Sequence, residues 1–332
     1  MNALIRRNAD VLVAADHPEP TPAPGEVLVR PTLAAISTAD LAAARGEPAE
    51  VNFQGVLGHQ FVGVVERAES DRHAALVGKR VVADPFVVDP ASELARRGLA
   101  RHEPTRTLIG LKGRDGCFAD LVALPAANLT PVPDTVSDDH AVFAVPLAAA
   151  IHASRIVQLE GKTYVTVLGD SLQALLCAQV MARLNHTVRL LATREDRLAI
   201  AERWGVRRRP VEEAGLRNDQ DVVIDCTADP AMVARAFGMV RPRGTVVLKR
   251  DPLPLPGVPA NAPGPDLTPV IANELELVGA SLGRAGEAVA ELASGDLDLT
   301  GLITKRVKLD QGIAGLRAAA DPDQLRVVVE IA

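Results

Sequence analysis

The chain has 332 residues, enough for about two domains that each bury a full core. A net charge of -6 of mixed sign, with six Phe, one Tyr and one Trp as the whole aromatic complement, excludes a basic nucleic-acid footprint and a base-stacking platform. Cys117, Cys177 and Cys226 are too widely spaced for a disulfide framework or zinc cluster, MNALIRRNAD is no signal peptide, and no apolar run reaches about 18 residues; a cytoplasmic protein with no membrane partner is expected.

In chain order, the first 150 residues carry short β-rich runs at Val27–Arg30, Phe61–Arg67, Arg80–Val82 and Phe118–Leu124. Turns such as PTPAPGE at Pro20–Glu26 separate them, and the spacing predicts a largely antiparallel, barrel-like domain. Within GVLGHQFVGVVE at Gly55–Glu66, His59 stands between a glycine turn and an apolar strand, where backbone can come close to a ligand. A hydrogen-bonded structural histidine is the alternative. Cys117 follows Gly116 and is either a packing residue or a thiol at a cleft, whereas Cys177 and Cys226 read as buried packing residues. His152 shares a helical pattern with Ala149 and Ile156 and reads as structural.

The stretch Tyr164–Leu176, YVTVLGDSLQALL, passes from a β-favouring run through Gly169 into the apolar helical pattern Leu172, Leu175, Leu176, Val180. In the dinucleotide fingerprint G-x-G-x-x-G the three glycines make the turn, admit the pyrophosphate and pack helix on strand. Those places hold Gly169, Ser171 and Ala174 here, so the second is altered. Ser171 places a Cβ where backbone meets phosphate, although its hydroxyl can donate a hydrogen bond, and Asp170 adds charge of the wrong sign. Strand patterns at Thr187–Ala192, Asp221–Asp225 and Thr245–Leu248 alternate with helical patterns at Arg197–Trp204 and Met232–Val240. This βαβαβ spacing predicts a doubly wound parallel sheet with any ligand at the carboxyl ends of its strands. Asp251–Pro269 holds seven prolines and is expected to lack regular structure. A strand at Leu275–Ala280, a helix at Gly286–Ala293 and a final strand at Leu325–Ile331 follow.

In sum the sequence resembles the medium-chain dehydrogenase/reductase superfamily, of the zinc alcohol dehydrogenase type, nearly end to end. The motifs that carry the resemblance include GEVLVRP at Gly25–Pro31, STADL at Ser37–Leu41, GVLGHQFVGVVE, VGKRVV at Val77–Val82, GRDGCFADLVALPAANL at Gly113–Leu129, DVVIDCTADP at Asp221–Pro230 and LASGDLDLTGLITKRVKLD at Leu292–Asp310. The resemblance implies an α/β fold class, with a GroES-like β-rich catalytic domain over residues 1–152, a Rossmann doubly wound parallel-sheet domain over 153–282, and a return to the catalytic domain over 283–332. It also implies a homodimer paired through the strand at Leu275–Ala280.

The departures from the family pattern concern the metals. The family's catalytic Cys place reads Ser37, its His place keeps His59, the following Glu reads Gln60 and its E-P-L motif reads Val145-Pro146-Leu147. A catalytic zinc needs about three protein ligands, and neutral Ser37, Gln60 and Val145 cannot replace thiolate and carboxylate. The relay-hydroxyl place is Ala39, beside Thr38. The four structural-zinc Cys places fall on Asp89, Ser92, Ala95 and Glu103, and the stretch Ser92–Leu99 predicts a short helix capped by Ser92. No zinc is expected.

At the end of the second strand of the parallel sheet Ala192 replaces the acidic residue that binds the NAD ribose, and Thr193 and Arg194 follow; a guanidinium there favours NADP(H). The alternative has Arg194 paired with Glu195 or Asp196. The candidate cofactor-binding residues are Gly169, Ser171, Leu172, Ala174, Thr193, Arg194, Thr227 and Lys249. The sequence thus reads as a zinc-independent NADP(H)-dependent oxidoreductase moving hydride to or from a small carbonyl, alcohol or activated alkene. His59 is the candidate general acid, and Ser37 or Gln60 the donors to the developing oxyanion. The alternative is a non-catalytic dehydrogenase-fold binding or assembly protein.

Overall fold

The structure is a computed structural model and describes residues 1–47, 52–157, 164–184, 187–227, 229–249 and 264–331. Its chain divides into two compact units, Met1–Val145 with Val289–Ala332, and Pro146–Ala288.

The first unit begins with β1 (Ala3–Arg7) and β2 (Asp10–Ala14), an antiparallel hairpin. β3 (Glu26–Ile36) runs into α1 (Thr38–Ala44), and β4 (Gly55–Val56) leads to β5 (Phe61–Ala68) and β6 (Arg80–Ala83). Next come β7 (Phe86–Val87), α2 (Glu93–Arg96), β8 (Thr107–Ile109), β9 (Gly113–Arg114), β10 (Val122–Pro125), β11 (Leu129–Pro131) and α3 (Asp138–Ala141). The expected strand over Phe118–Leu124 is confined to Val122–Pro125. Upstream of it, Cys117 and Phe118 donate their amides to Gly58 and Leu57, and only Ala119 bridges Ala3.

α4 (Ala144–Ile156) precedes the second unit's sheet. Its elements are β12 (Tyr164–Leu168), α5 (Leu172–Arg183), β13 (Thr187–Ala192), α6 (Glu195–Arg203), β14 (Arg207–Pro210), β15 (Gln220–Asp225), α7 (Pro230–Met239), β16 (Val240–Leu248), α8 (Thr268–Ala272) and β17 (Glu276–Gly279). Strand order is β14-β13-β12-β15-β16-β17, parallel throughout, as alternating strand and helix patterns require. β12 and β15 are buried almost end to end, which is why their apolar residues are not confined to alternate positions. Of the proline-rich stretch Asp251–Pro269, residues 251–263 lie outside the described residues, and Thr268 and Pro269 open α8, where a proline in the first turn loses no helical hydrogen bond.

α9 (Ala285–Ala293), β18 (Lys305–Lys308), α10 (Gly312–Ala319) and β19 (Val327–Glu330) follow. β19 inserts beside β3, with Val327 opposite Ile36 and Val328 opposite Ala35, so the C-terminus completes the sheet β11-β6-β5-β3-β19-β18. Leu4, Leu57, Phe61, Phe118 and Leu124 pack within this unit's core, where a fully buried side chain of this size contributes roughly 1.5–3 kcal/mol. The second unit has its own core around Leu168, Leu191, Phe237 and Val246. Among the described residues no helix is long and apolar enough to cross a membrane.

Candidate active site

His59 is placed by a clamp of backbone. Gly58 has φ +97° and a Cβ there would stand 2.7 Å from the Phe118 ring; a Cβ on Gly110 or Gly116 would strike the Gly58 carbonyl. Cys117 N and Phe118 N donate to Gly58 O (2.9 Å) and Leu57 O (2.9 Å), and Ala35 N donates to Gln60 O (2.8 Å). Only glycines permit so close an approach at a left-handed corner. The segment therefore holds the imidazole against β3 and α1.

A buried polar chain runs through the imidazole. His59 Nδ1 lies 2.9 Å from Asp40 Oδ1, and Gln60 Nε2 lies 3.0 Å from His59 Nε2. Asp40 Oδ2 accepts both Ser37 N and Ser37 Oγ at 2.8 Å, while Asp40 N donates back to Ser37 Oγ at 3.2 Å. That reciprocal pair is the capping box of α1, so the residue that caps the helix also enters the site. At the far end Arg326 donates to Gln60 Oε1 and to Val142 O (3.2 Å) and lies 5.6 Å from the centre of the Phe143 ring. Asp40 is 0% exposed, Arg326 4%, His59 5% and Gln60 7%; the chain reaches the surface at half-buried Ser37. Asp40 and Arg326 are thus joined through His59 and Gln60, each bonded to the next.

This donor set does not fit a metal. Both imidazole nitrogens, the Gln60 amide and the Ser37 hydroxyl are engaged within the chain, a cation stands behind Gln60, and Val145 is buried and apolar. Among the described residues no three His, Cys, Asp or Glu side chains group as metal ligands. Asp89, Ser92, Ala95 and Glu103 surround a different arrangement: Ser92 Oγ caps α2 by accepting Ala95 N at 3.1 Å, and Glu93 pairs with Arg97 at 3.5 Å. Cys117 is fully buried, and burial first, then the Asp40 charge, pushes its thiol well above the ordinary range; it is a packing residue. Cys177 and Cys226 are also buried.

Sequence reasoning missed Arg326. Its signal was a single cation interrupting the apolar final run Leu325–Val329, but its partner lies 266 residues earlier and is reached only through the pairing of β19 with β3.

In the second unit, β12 ends at Gly169 (φ +127°), where a Cβ would lie 3.3 Å from Thr227 Cγ2 and 3.6 Å from Ala174 Cβ. Ser171 takes ordinary extended dihedrals (φ -78°, ψ 160°) and caps α5, its Oγ accepting Ala174 N at 3.2 Å. The capping bond uses the oxygen and leaves the hydroxyl proton to donate outward. Leu172 and Ala174 are buried under the turn. Asp170 reaches the end of β13: Oδ1 accepts Thr193 N and Arg194 N at 2.9 Å each, and Oδ2 accepts Thr193 Oγ1 at 2.7 Å. The Arg194 guanidinium pairs with Asp196 at 3.1 and 3.2 Å. Asp196 lies below its usual carboxyl value because the Arg194 hydrogen bonds and the Arg197 and Arg194 charges outweigh the opposing effect of burial. Thr227 donates to Asp225 Oδ1 at 2.6 Å, and Lys249, 3% exposed, follows the end of β16. A tight glycine turn feeding the amino end of a 12-residue helix, with hydroxyl and cationic side chains at neighbouring strand ends, fits a dinucleotide's pyrophosphate and ribose.

Residues 23–134 match the family described as Alcohol dehydrogenase GroES-like domain. Over 335 aligned residues the chain is 27% identical to the L-threonine 3-dehydrogenase of Anaeromyxobacter dehalogenans 2CP-C, with 93% of each chain covered. A Sinorhizobium meliloti 1021 dehydrogenase crystallised with NADP superposes with TM-score 0.87 at 23% identity, covering 99% of both chains. An Escherichia coli CFT073 alcohol dehydrogenase complexed with NADH gives TM-score 0.87 at 22% identity, covering 100% of this chain and 99% of the other. The architecture is a GroES-like domain joined to a Rossmann-like parallel sheet. Over nearly its whole length the chain is thus similar to dehydrogenases, and its first unit carries the match to the GroES-like domain.

Proposed function

We propose that this chain is a zinc-independent, nicotinamide-dependent oxidoreductase that moves hydride between cofactor and a small alcohol or carbonyl substrate. The observation that carries the reading is the β12–Gly169–α5 turn at the carboxyl edge of the parallel sheet, with exposed Ser171 capping the helix through its oxygen. Relatives with the same fold hold NADP and NADH, which supports a dinucleotide in that turn. When bound, the nicotinamide supplies the hydride donor or acceptor. Ser171, Thr193, Thr227 and Lys249 would hold its polar groups. In the GroES-like unit, half-buried Ser37 stands at the outer end of the polar chain; its proton goes to Asp40 Oδ2, so its remaining lone pair is what would meet a substrate hydroxyl, as an acceptor. Asp40 orients Ser37, and His59 with Gln60 stands behind Asp40. His59 then supports Ser37 from within the chain instead of meeting substrate as a general acid.

NADP(H) preference belongs to the same proposal. It requires Arg194, half-buried and paired with exposed Asp196, to exchange that carboxylate for a 2′-phosphate. Asp170, bonded to the Thr193 and Arg194 amides, opposes it.

A non-catalytic binding role is favoured by one observation, the internal engagement of His59 and Gln60. Titration of metal-stripped protein with NADPH and NADH separates the two. Micromolar NADPH binding with weaker NADH, followed by turnover of an alcohol or ketone panel, is expected; no binding of either at millimolar concentration sinks the oxidoreductase. About one zinc per chain in metal-replete protein would overturn the zinc-free reading.

A further inference from the structure

We infer that Arg326 is a positioning residue that sets the direction of the whole buried chain and, through Gln60, holds His59 as the Nδ1–H tautomer with its Nε2 lone pair closed. A guanidinium is a donor without acceptor capacity, so the group of Gln60 that faces Arg326 is the amide oxygen. The amide nitrogen is then turned to His59 Nε2, 3.0 Å away, and because that NH2 can only donate, Nε2 is the acceptor and carries no proton. The ring proton sits on Nδ1 and is donated to Asp40 Oδ1 at 2.9 Å. Asp40 completes the sequence by accepting the Ser37 hydroxyl and amide.

Every bond from Arg326 to Asp40 therefore points one way, from the permanent cation just before the last strand to the carboxylate on α1. Inverting any one member sets donor against donor or acceptor against acceptor inside a site that is at most 7% exposed at each of the four members from Arg326 to Asp40. Arg326 is itself fixed by the Val142 carbonyl and the Phe143 ring face, so its direction does not depend on Gln60. The Nε2 lone pair, the atom through which an imidazole would bind a metal or accept a substrate proton, is thus occupied by a neighbour whose own orientation is dictated from 266 residues away. This deepens the zinc-free oxidoreductase reading at the same site, because it gives the cause of the closed imidazole.

The test reads the two ring nitrogens directly, by long-range proton–nitrogen NMR of uniformly labelled protein at neutral pH. The His59 signals are assigned by their loss in His59→Gln or by their slow solvent exchange. Wild type is expected to show a pyrrole-type Nδ1 and a pyridine-type Nε2. Arg326→Lys keeps a donor-only cation and should preserve the pattern, whereas Arg326→Met lets the Gln60 amide turn its oxygen to Nε2, so a ring protonated on both nitrogens should appear beside the Nδ1–H form. Gln60→Glu offers only acceptors to Nε2 while Asp40 still takes Nδ1–H, so the ring should gain a second proton and show two pyrrole-type nitrogens, and this variant carries the test should Arg326→Met fail to fold. An Nε2-protonated ring in wild type, or the wild-type pattern retained in Gln60→Glu, overturns the inference. NADPH binding and turnover measured on the same samples keep the two readings separable: a failed tautomer pattern with intact turnover sinks only the lock, and an intact pattern without dinucleotide binding sinks only the oxidoreductase.

Discussion

Cys117 shows how one buried group ties the site to stability. Its folded-state thiol is raised above the unfolded value, by burial first and then by Asp40, so the folded state holds the proton more tightly. The contribution is full below about pH 8.5 and is lost as pH rises toward the folded value. Tm of wild type should consequently fall more steeply above about pH 9 than that of Cys117→Ala. Parallel slopes in differential scanning calorimetry would contradict this. Ser171 joins a cap to a ligand donor in one hydroxyl. Ser171→Ala should lose about 1 kcal/mol of stability and also weaken dinucleotide binding. Ser171→Gly loses only a few tenths in the fold, and tightened NADPH binding in that variant would mean that the Cβ crowds the pyrophosphate.

Among the elements, the glycine clamp behind His59 makes the sharpest claim. Gly58→Ala puts a Cβ 2.7 Å from the Phe118 ring at φ +97°, and should cost on the order of 1–3 kcal/mol with loss of the His59 NMR pattern. Unchanged urea midpoint and slope in that variant would refute the clamp. Helix and strand positions were largely readable at this scale. Thr187–Ala192 is a strand with the expected bounds, and Ser92 caps the short helix in the lobe that carries no cysteine. Phe118–Leu124 misled because apolar, β-favouring residues there are buried by packing against Gly58 and β1, so burial and ladder pairing part company.

For the whole molecule, each unit carries its own core and its own candidate site. Hydrogen exchange with saturating NADPH should protect Gly169–Ala174, Thr193–Arg194 and Thr227, with about 2.7 kcal/mol of linked stabilisation at 100-fold excess over Kd. Protection confined elsewhere would remove the turn as the cofactor site. We propose, as the family resemblance implies, a homodimer through β17, and exposed Leu277 on that edge strand supports it. Light scattering should give twice the chain mass, falling to one chain in Leu277→Lys.

By itself the sequence determined the two-part architecture, the altered fingerprint and the substitutions at Ser37, Gln60 and Val145, because periodicity and turn chemistry are local properties of neighbouring residues. His59 and Gln60 could be named from their motif, and Arg194–Asp196 pairing could be foreseen as an alternative since two residues separate the partners. Tertiary structure alone decided what His59 does. The bonds that fix its proton come from α1, 19 residues before it, and from Arg326, which reaches Gln60 across 266 residues of chain. A hydrogen bond depends on position within a few tenths of an ångström and on which way a donor faces, and here both are set by β19 pairing with β3.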